Sequence, residues 1–383
     1  EGILPGAGKA LLDESAEIGG PSQSPEYDAA VAIVRNALMS PFQQILANAG
    51  LKPMRTRESE IGLELKMFNS RVTLDMAVYQ KLTSDQIVSA QISDASGFTN
   101  SLINSGQSEN RGFEMLLNFV PIKTADFQWD LTLNGSYNTT KVLSLLTDTP
   151  GERITVGTHV FNGELRQVVG QEMGQIYGFG YRRDANGKRV FGANGIALRT
   201  PDLISFGSAI PKYVGGITNT FNYKGISLSA LIDFKVGNMM LSGTNFNAVR
   251  HGLHKMTLEG REGGVVADGV NAQGGPNTAK AGVQPFWEVV RSQALIEPVV
   301  YDGSYWKLRQ ITAGYDFTKH LSPKSPIKGI KLSFVANNVL ILKKYIDNID
   351  PESFGYSSDN LVGMESTGLP TTRSLGFNLN VKF

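Results

Sequence analysis

From Ser374 to Phe383 the chain alternates without a break. Leu375, Phe377, Leu379, Val381 and Phe383 fall on one side, and Ser374, Gly376, Asn378, Asn380 and Lys382 on the other. Side chains of a strand point to opposite faces with period two, so this stretch predicts a strand with one apolar and one polar face. The period recurs upstream. Ile61, Leu63, Leu65 and Met67 alternate with Glu60, Glu64 and Lys66, and after a turn at Asn69-Ser70 the series continues through Val72, Leu74, Met76 and Val78, which predicts a hairpin. Phe113, Met115, Leu117 and Phe119 form the next run, and a turn at 121–126 leads into Phe127, Trp129, Leu131, Leu133, Gly135 and Tyr137. Tyr213 to Tyr223 and Ile226 to Val236 flank Lys224-Gly225, while Tyr305 to Phe317 and Ile330 to Asn338 flank Thr318 to Gly329. Between Leu308 and Ile311 the phase slips, which predicts a bulge near Arg309.

The connections between these nine predicted strands alternate short and long. Asn69-Ser70, 121–126, 224–225 and 318–329 are the short ones; 81–108, 139–211, 237–303 and 339–373 are the long ones, the first read as a polar loop. An outer-membrane barrel has this asymmetry, with short periplasmic turns and long extracellular loops, and a tilted strand of about ten residues crosses its hydrocarbon layer. Outer-membrane lipid is then the expected surroundings. In that arrangement Phe383 ends the chain at the periplasmic rim, as a signal for the barrel-assembly machinery, and Tyr79, Tyr137, Tyr223, Phe317 and Phe383 belong to the interfacial aromatic girdles. Alternation turns Asp130, Asn134, Asp233 and Lys235 toward the lumen.

The predicted fold is therefore all-β, a transmembrane antiparallel β-barrel. Single-chain bacterial barrels have an even number of strands, so nine are expected to be part of a larger barrel with further strands upstream. Glu1 as the first residue, with no signal segment, fits a truncated piece. Residues 1–50 read differently, as a loop and a helical insert: Tyr27, Val31, Val34, Leu38, Phe42, Ile45 and Leu46 have helical spacing, and Ser40-Pro41 divides them into two short helices. The two predicted regions are thus 1–50 and the barrel portion 51–383.

Composition narrows the chemistry. A net charge of +1 gives no field for nucleic acid, and the absence of cysteine removes disulfides, thiolate metal sites and cysteine nucleophiles. His159, His251, His254 and His320 all fall outside the predicted strands, which argues against a hydrolase built on a lipid-facing Ser/His pair. His251 and His254 could share a helix face but lack a third metal ligand, so they read as solvated loop residues and no metal or other cofactor is expected. Asp184-Ala185-Asn186-Gly187 reads as an Asn-Gly turn, since the further carboxylates of a calcium loop are missing. The long loops hold the binding candidates: Tyr181, Arg182, Trp287, Tyr301, Trp306, Phe354 and Tyr356 supply the aromatic faces and planar polar groups that suit sugars.

Several blocks carry a family resemblance. They are Leu51-Lys52-Pro53 with Glu60-Ile61-Gly62-Leu63-Glu64; Phe68-Asn69-Ser70-Arg71; Pro211-Lys212-Tyr213-Val214-Gly215-Gly216; Asp302 to Arg309 (DGSYWKLR); Gly314-Tyr315; Asn337-Asn338; Asp350-Pro351-Glu352; and Pro370-Thr371-Thr372-Arg373. In this order, over residues 51–383, the chain resembles the carboxy-terminal half of SusC/RagA-type TonB-dependent outer-membrane transporters of Bacteroidota. The resemblance implies a 22-stranded barrel with an amino-terminal plug, a segment that engages the TonB complex, and a SusD-like surface lipoprotein over the extracellular mouth. It also implies import of large nutrients, oligosaccharides or peptides, driven by the proton-motive force. The competing reading is an outer-membrane scaffold, adhesion or secretion-associated barrel subunit that does not transport.

Overall fold

The computed structural model describes residues 15–19, 24–35, 51–91, 100–146, 149–353 and 361–383. Its framework is a nine-stranded antiparallel sheet in which every strand pairs with its neighbours in chain order. The strands are β1 (Arg55–Met67), β2 (Val72–Gln91), β3 (Asn100–Lys123), β4 (Phe127–Ser144), β5 (Tyr213–Tyr223), β6 (Ile226–Val236), β7 (Tyr305–Asp316), β8 (Gly329–Lys344) and β9 (Ser374–Lys382). The nine predicted strands are all present.

The register shows how one face stays apolar. Leu65 lies opposite Leu74, then Leu117, Leu133, Ile217, Ile232, Leu308 and Leu340, one row crossing eight strands. Because the side-chain period is two, a one-residue slip anywhere would send a strand's apolar set to the other face. The next row along the strands, two residues on in β1 to β6 and further on in β7 and β8 where the register shifts, is Met67, Val72, Phe119, Leu131, Asn219, Ala230, Ile311, Ala336 and Leu375. Asn219 is the polar member, and its side-chain oxygen accepts from Trp129 Nε1 at 3.2 Å. The predicted bulge is also there: the ladder passes from Leu308 to Gln310 on both sides of β7, leaving Arg309 unpaired.

Two expectations change. The segment 81–108 is largely strand, since β2 and β3 are 20 and 24 residues long, about twice what a bilayer requires. Their outer halves stand clear of the apolar band, so no alternation marked them. Tyr79 does not join the girdle, because it lies opposite Glu60 and Gly112 on the polar face. A Cβ at Gly112 would fall 2.3 Å from the Tyr79 ring, so the glycine makes room for it, and the Tyr79 hydroxyl accepts from Asn138 Nδ2 at 2.7 Å. Val78 takes the outward position, in the row with Phe113 and Tyr137.

The short turns stay at one end. Phe68, Asn69 and Ser70 all have positive φ (57°, 53° and 61°), and Lys224-Gly225 closes β5 and β6 with φ of 46° and 94°, the left-handed pair that matches the twist of a two-residue hairpin. At the other end the long connections fold on one another. Residues from the connection 139–211 form a four-stranded sheet (Arg153–Thr158, Glu164–Val168, Gln175–Gly178, Ile204–Ser208). Met239–Ser242 pairs with Val300–Asp302 and, in parallel, with Met364–Glu365, so the connections 237–303 and 339–373 share a sheet. Leu165, Ile176, Leu241, Val249, Ile296 and Met364 are buried together where the three meet. Of the amino-terminal region, residues 25–35 are helical, and Ser24 caps them by accepting from Tyr27 N at 3.2 Å. The second helix expected after Ser40-Pro41 lies outside the described residues.

Candidate functional site

The polar face of the sheet and the loop layer above it meet at a charged cluster that draws together motifs far apart in sequence. Lys307 and Tyr305 occupy the polar face of β7, and the bulge gives Arg309 the reach its neighbours lack. Lys307 Nζ donates to Asp350 and Glu352, both at 2.6 Å, and is itself almost fully buried. Arg309 forks onto Asp233 of β6 at 2.6 and 2.8 Å, reaches Glu352 at 2.9 Å, and donates to the Asn338 side chain at 2.8 Å. Asn338 has φ of 52°, which asparagine tolerates better than most residues, and its Nδ2 holds the Thr372 carbonyl at 2.8 Å. Tyr305 donates to Glu352 at 2.6 Å and Thr371 to Asp350. Asp350 and Glu352, and Thr371 and Thr372, are thereby clamped against the wall.

The electrostatics follow from the geometry. Burial by itself would raise the Glu352 carboxyl, but hydrogen bonds from Arg309, Lys307 and Tyr305 outweigh it and hold the group down to about 2. Asp350 is also lowered: burial opposes, and Lys307 and Thr371 prevail. A second buried carboxylate, Glu365, sits at the start of the helix Gly243–Arg250. It accepts from Ser242 Oγ (3.0 Å), Thr244 N (2.9 Å) and Thr244 Oγ1 (2.8 Å), an anion at the positive end of a helix. Nothing in the local sequence pattern marked Lys307, Arg309, Asp350 and Glu352 as one cluster. The phase slip marks only the bulge that re-aims Arg309, not the cluster it joins.

The expected lumen residues lie on the polar face. Asn134 pairs across Gly216 with Asp233, which lies opposite Lys307; Lys235 is opposite Tyr305; Asp130 accepts from Gln128 at 2.6 Å. With Glu60, Asp75 and Glu114, Asn134 and Asp233 line an open hollow of about 670 Å³.

The binding candidates do not converge. Tyr181 is buried beneath the Arg189 guanidinium, 4.7 Å from its ring centre, and burial pushes its hydroxyl up to about 12. Arg182, next to it, is exposed. Trp287 packs between two buried loop clusters, edge-on to Phe286 at 5.1 Å. Tyr301 is half-buried against Met240, Ile346 and Ile349, and burial likewise pushes it up to about 12. Trp306 lies on the apolar face, stacked on Phe234 at 4.3 Å. Phe354 and Tyr356 lie outside the described residues. Phe383 is exposed just past β9.

The histidines correct one expectation. His251 ends the helix Gly243–Arg250 and His254 caps the next short helix, so they share no helix face. His254 is buried rather than solvated, and its Nδ1 accepts from Met256 N at 3.2 Å. Asp184 to Gly187 is a turn, with Asp184 Oδ1 accepting from the amides of Asn186 and Lys188.

Comparison with known proteins agrees with this architecture. The family described as TonB dependent receptor-like, beta-barrel matches residues 21–339, reaching upstream of the motif blocks that begin at Leu51. The chain is 25% identical to TonB-dependent receptor P3 of Formosa agariphila over 369 residues, 88% of this chain and 35% of that protein. It is 24% identical to TonB-dependent receptor SusC of Bacteroides thetaiotaomicron over 323 residues, 80% of this chain and 30% of that protein. The fold is similar to that in the structure of the RagAB peptide transporter, with a TM-score of 0.62 at 16% identity, covering 86% of this chain and 35% of that one. The chain thus spans about a third of the length of the relatives it matches. With one lipid-type face, alternating connections and a match over most of its length, the chain belongs to the TonB dependent receptor-like, beta-barrel family.

Proposed function

We propose that this chain supplies part of the wall and outer rim of an outer-membrane importer for a large nutrient, an oligosaccharide or a peptide. The long connections face the cell exterior and the end of β9 faces the periplasm. Import is powered through the TonB complex, engaged by a part of the protein outside this chain, and a SusD-like lipoprotein closes the mouth. The observation that carries the reading is the apolar row running unbroken across eight strands, with every interlocked connection at one end. A wall of this kind separates lipid from lumen, and the family relationship supplies the energy source.

The test is uptake of fluorescently labelled oligosaccharides and peptides by cells with and without the protein, before and after the proton gradient is collapsed. The importer reading expects uptake of at least one cargo to need both the protein and the gradient, and a surface lipoprotein to co-purify. Unchanged uptake of every cargo, with loss of surface attachment or secretion instead, would favour the scaffold.

A further inference from the structure

Toward the end of the sheet that bears the long connections, the outward face carries charge that neither the wall nor the clamp uses. Ile61, Val78, Phe113, Tyr137, Tyr213 and Val236 form the last wholly apolar row before that end, and the Tyr137 and Tyr213 rings lie 5.0 Å apart on it. Two residues further on, the same face of β1 to β4 turns polar: Ser59, Gln80, Arg111 and Thr139 form one row, and Arg57, Leu82, Glu109 and Lys141 the next. Arg55 stands beyond them, opposite Ser84. Arg55, Arg57, Arg111 and Lys141 are all exposed. Glu109, the carboxylate within these rows, is engaged by Arg111 at 2.9 Å and by the Gln80 amide. Beside Thr139 a second carboxylate, Glu172, is matched by Lys212 at 2.7 Å. Arg55, Arg57 and Lys141 make no ion pair among the described residues, so the band keeps a surplus of positive charge in a chain whose net charge is only +1.

The level of the band narrows the kind of partner. A strand rises about 3.4 Å per residue, so the cations begin about 7 Å along the strands from the apolar row. A ligand that meets both must be amphiphilic, with hydrocarbon against Ile61, Val78 and Phe113 and an anion beside Arg57, Arg111 and Lys141. Tyrosines belong at this boundary between hydrocarbon and headgroup. A guanidinium fits two oxygens of a phosphate side by side, and Lys adds a point charge. The long stems of both lie on apolar surface while their heads reach headgroup level. A soluble protein cannot meet the apolar row, which lipid covers.

We infer that Arg57, Arg111 and Lys141, with Arg55 behind them, bind the phosphate groups of outer-leaflet lipid. The inference goes beyond import: it rests on the outward face meeting lipid and on no particular cargo. It is tested on the complete natural protein, stripped of lipid in detergent and titrated with lipid A or with dephosphorylated lipid A, the bound lipid being counted by native mass spectrometry.

Lipid A is expected to bind more tightly than its dephosphorylated form, and to lose that advantage as salt is raised. Joint Arg57→Gln, Arg111→Gln and Lys141→Gln substitution should weaken lipid A binding roughly tenfold or more and leave the dephosphorylated form unaffected. Arg57→Gln alone guards against a folding artefact, since that exposed side chain makes no hydrogen bond or ion pair among the described residues, and it should weaken lipid A binding a few-fold. Joint Lys319→Gln, Lys324→Gln and Lys328→Gln substitution removes as much charge from the exposed turn between β7 and β8, at the opposite end of the sheet, and should change nothing. Equal affinity for both lipids, indifference to the band substitutions, or an equal loss in the turn variant would overturn the inference. So would release of a co-purifying protein by the band variant with lipid A binding intact, which would make the band a protein-docking surface. Protein-dependent uptake without phosphate-dependent lipid binding sinks this inference alone; band-dependent lipid binding with uptake indifferent to the protein sinks the importer reading alone.

Discussion

Phe377 and Phe191 are the same side chain in two different solvents. Phe377 in β9 is 78% exposed, and Phe191 in the loop layer is fully buried. Throughout the wall the large apolar groups face outward, as Ile61, Leu228, Leu375 and Leu379 do. A soluble protein rarely exposes so continuous an apolar surface. In the loop layer they face one another, as Leu165, Ile176, Leu241, Val290 and Ile296 do. The loop layer carries its own stabilising core in water, whereas the wall needs lipid to cover its outward face. The charged clamp is the joint between the two.

Breaking that joint should give the largest effect. Lys307→Ala leaves Asp350 buried without a cation while Glu352 keeps Arg309, a change that costs about 3–5 kcal/mol. Amide exchange in 345–353 and 361–373 should rise sharply while exchange in β4 to β6 stays slow. A uniform rise throughout would mean the clamp does not separate two layers. Charging the lipid face comes next. Ile232→Arg, within the apolar row, should cost about 2–4 kcal/mol in bilayers, read as a lower midpoint of denaturant unfolding, with the loop layer's exchange unchanged. A smaller effect is expected inside the loop layer. Ser242→Ala removes the cap of the helix Gly243–Arg250 and a donor to Glu365, for about 1–2 kcal/mol, and should leave the wall's bilayer stability intact.

The subtlest way to sharpen the comparison is pH. Burial pushes His159 in the loop layer down from 6.5 to about 4, partly opposed by Glu365. A group whose folded value is depressed contributes stability above its unfolded value and loses it as pH falls through the folded one. The loop layer should therefore weaken from about pH 6.5 down to about 4. Glu352 has the same sign, with its ordinary value at 4.5 and its folded value at about 2, so the clamp should weaken only below about pH 4.5. Exchange measured along a pH series should show loop amides opening before those at 345–353; the reverse order would contradict the assignment.

How much was legible in the sequence follows from the same division. Where one face meets lipid and the other water, alternation is enforced residue by residue, and all nine strands and the Arg309 bulge could be read from it. Beyond the bilayer that constraint lapses. The outer halves of β2 and β3 carry residues such as Thr83, Ser84 and Gln86 in strand conformation without a greasy side, and they read as loop. Tyr79 misled because an aromatic at a strand end suggests a girdle by its type alone, whereas the alternation through Val72, Leu74, Met76 and Val78 puts it on the polar face. The binding candidates were chosen by residue type. Type does not say whether an aromatic is buried, as Tyr181 is, or lies on the apolar face, as Trp306 does. The clamp was invisible because its members converge only through pairing between β6, β7 and a connection more than thirty residues further on.

The most direct measurement uses the three tryptophans, which divide between the two layers. Trp129 and Trp306 lie on the outward face of the wall, and Trp287 is packed between the loop clusters. Variants of the complete protein that keep one of these three residues, with any other tryptophans replaced, would be reconstituted in bilayers of brominated lipid and their fluorescence recorded. The account predicts strong quenching of Trp129 and Trp306 and little of Trp287. Trp129 and Trp306 untouched by brominated lipid but quenched by aqueous iodide would contradict it, because the apolar face would then be meeting water.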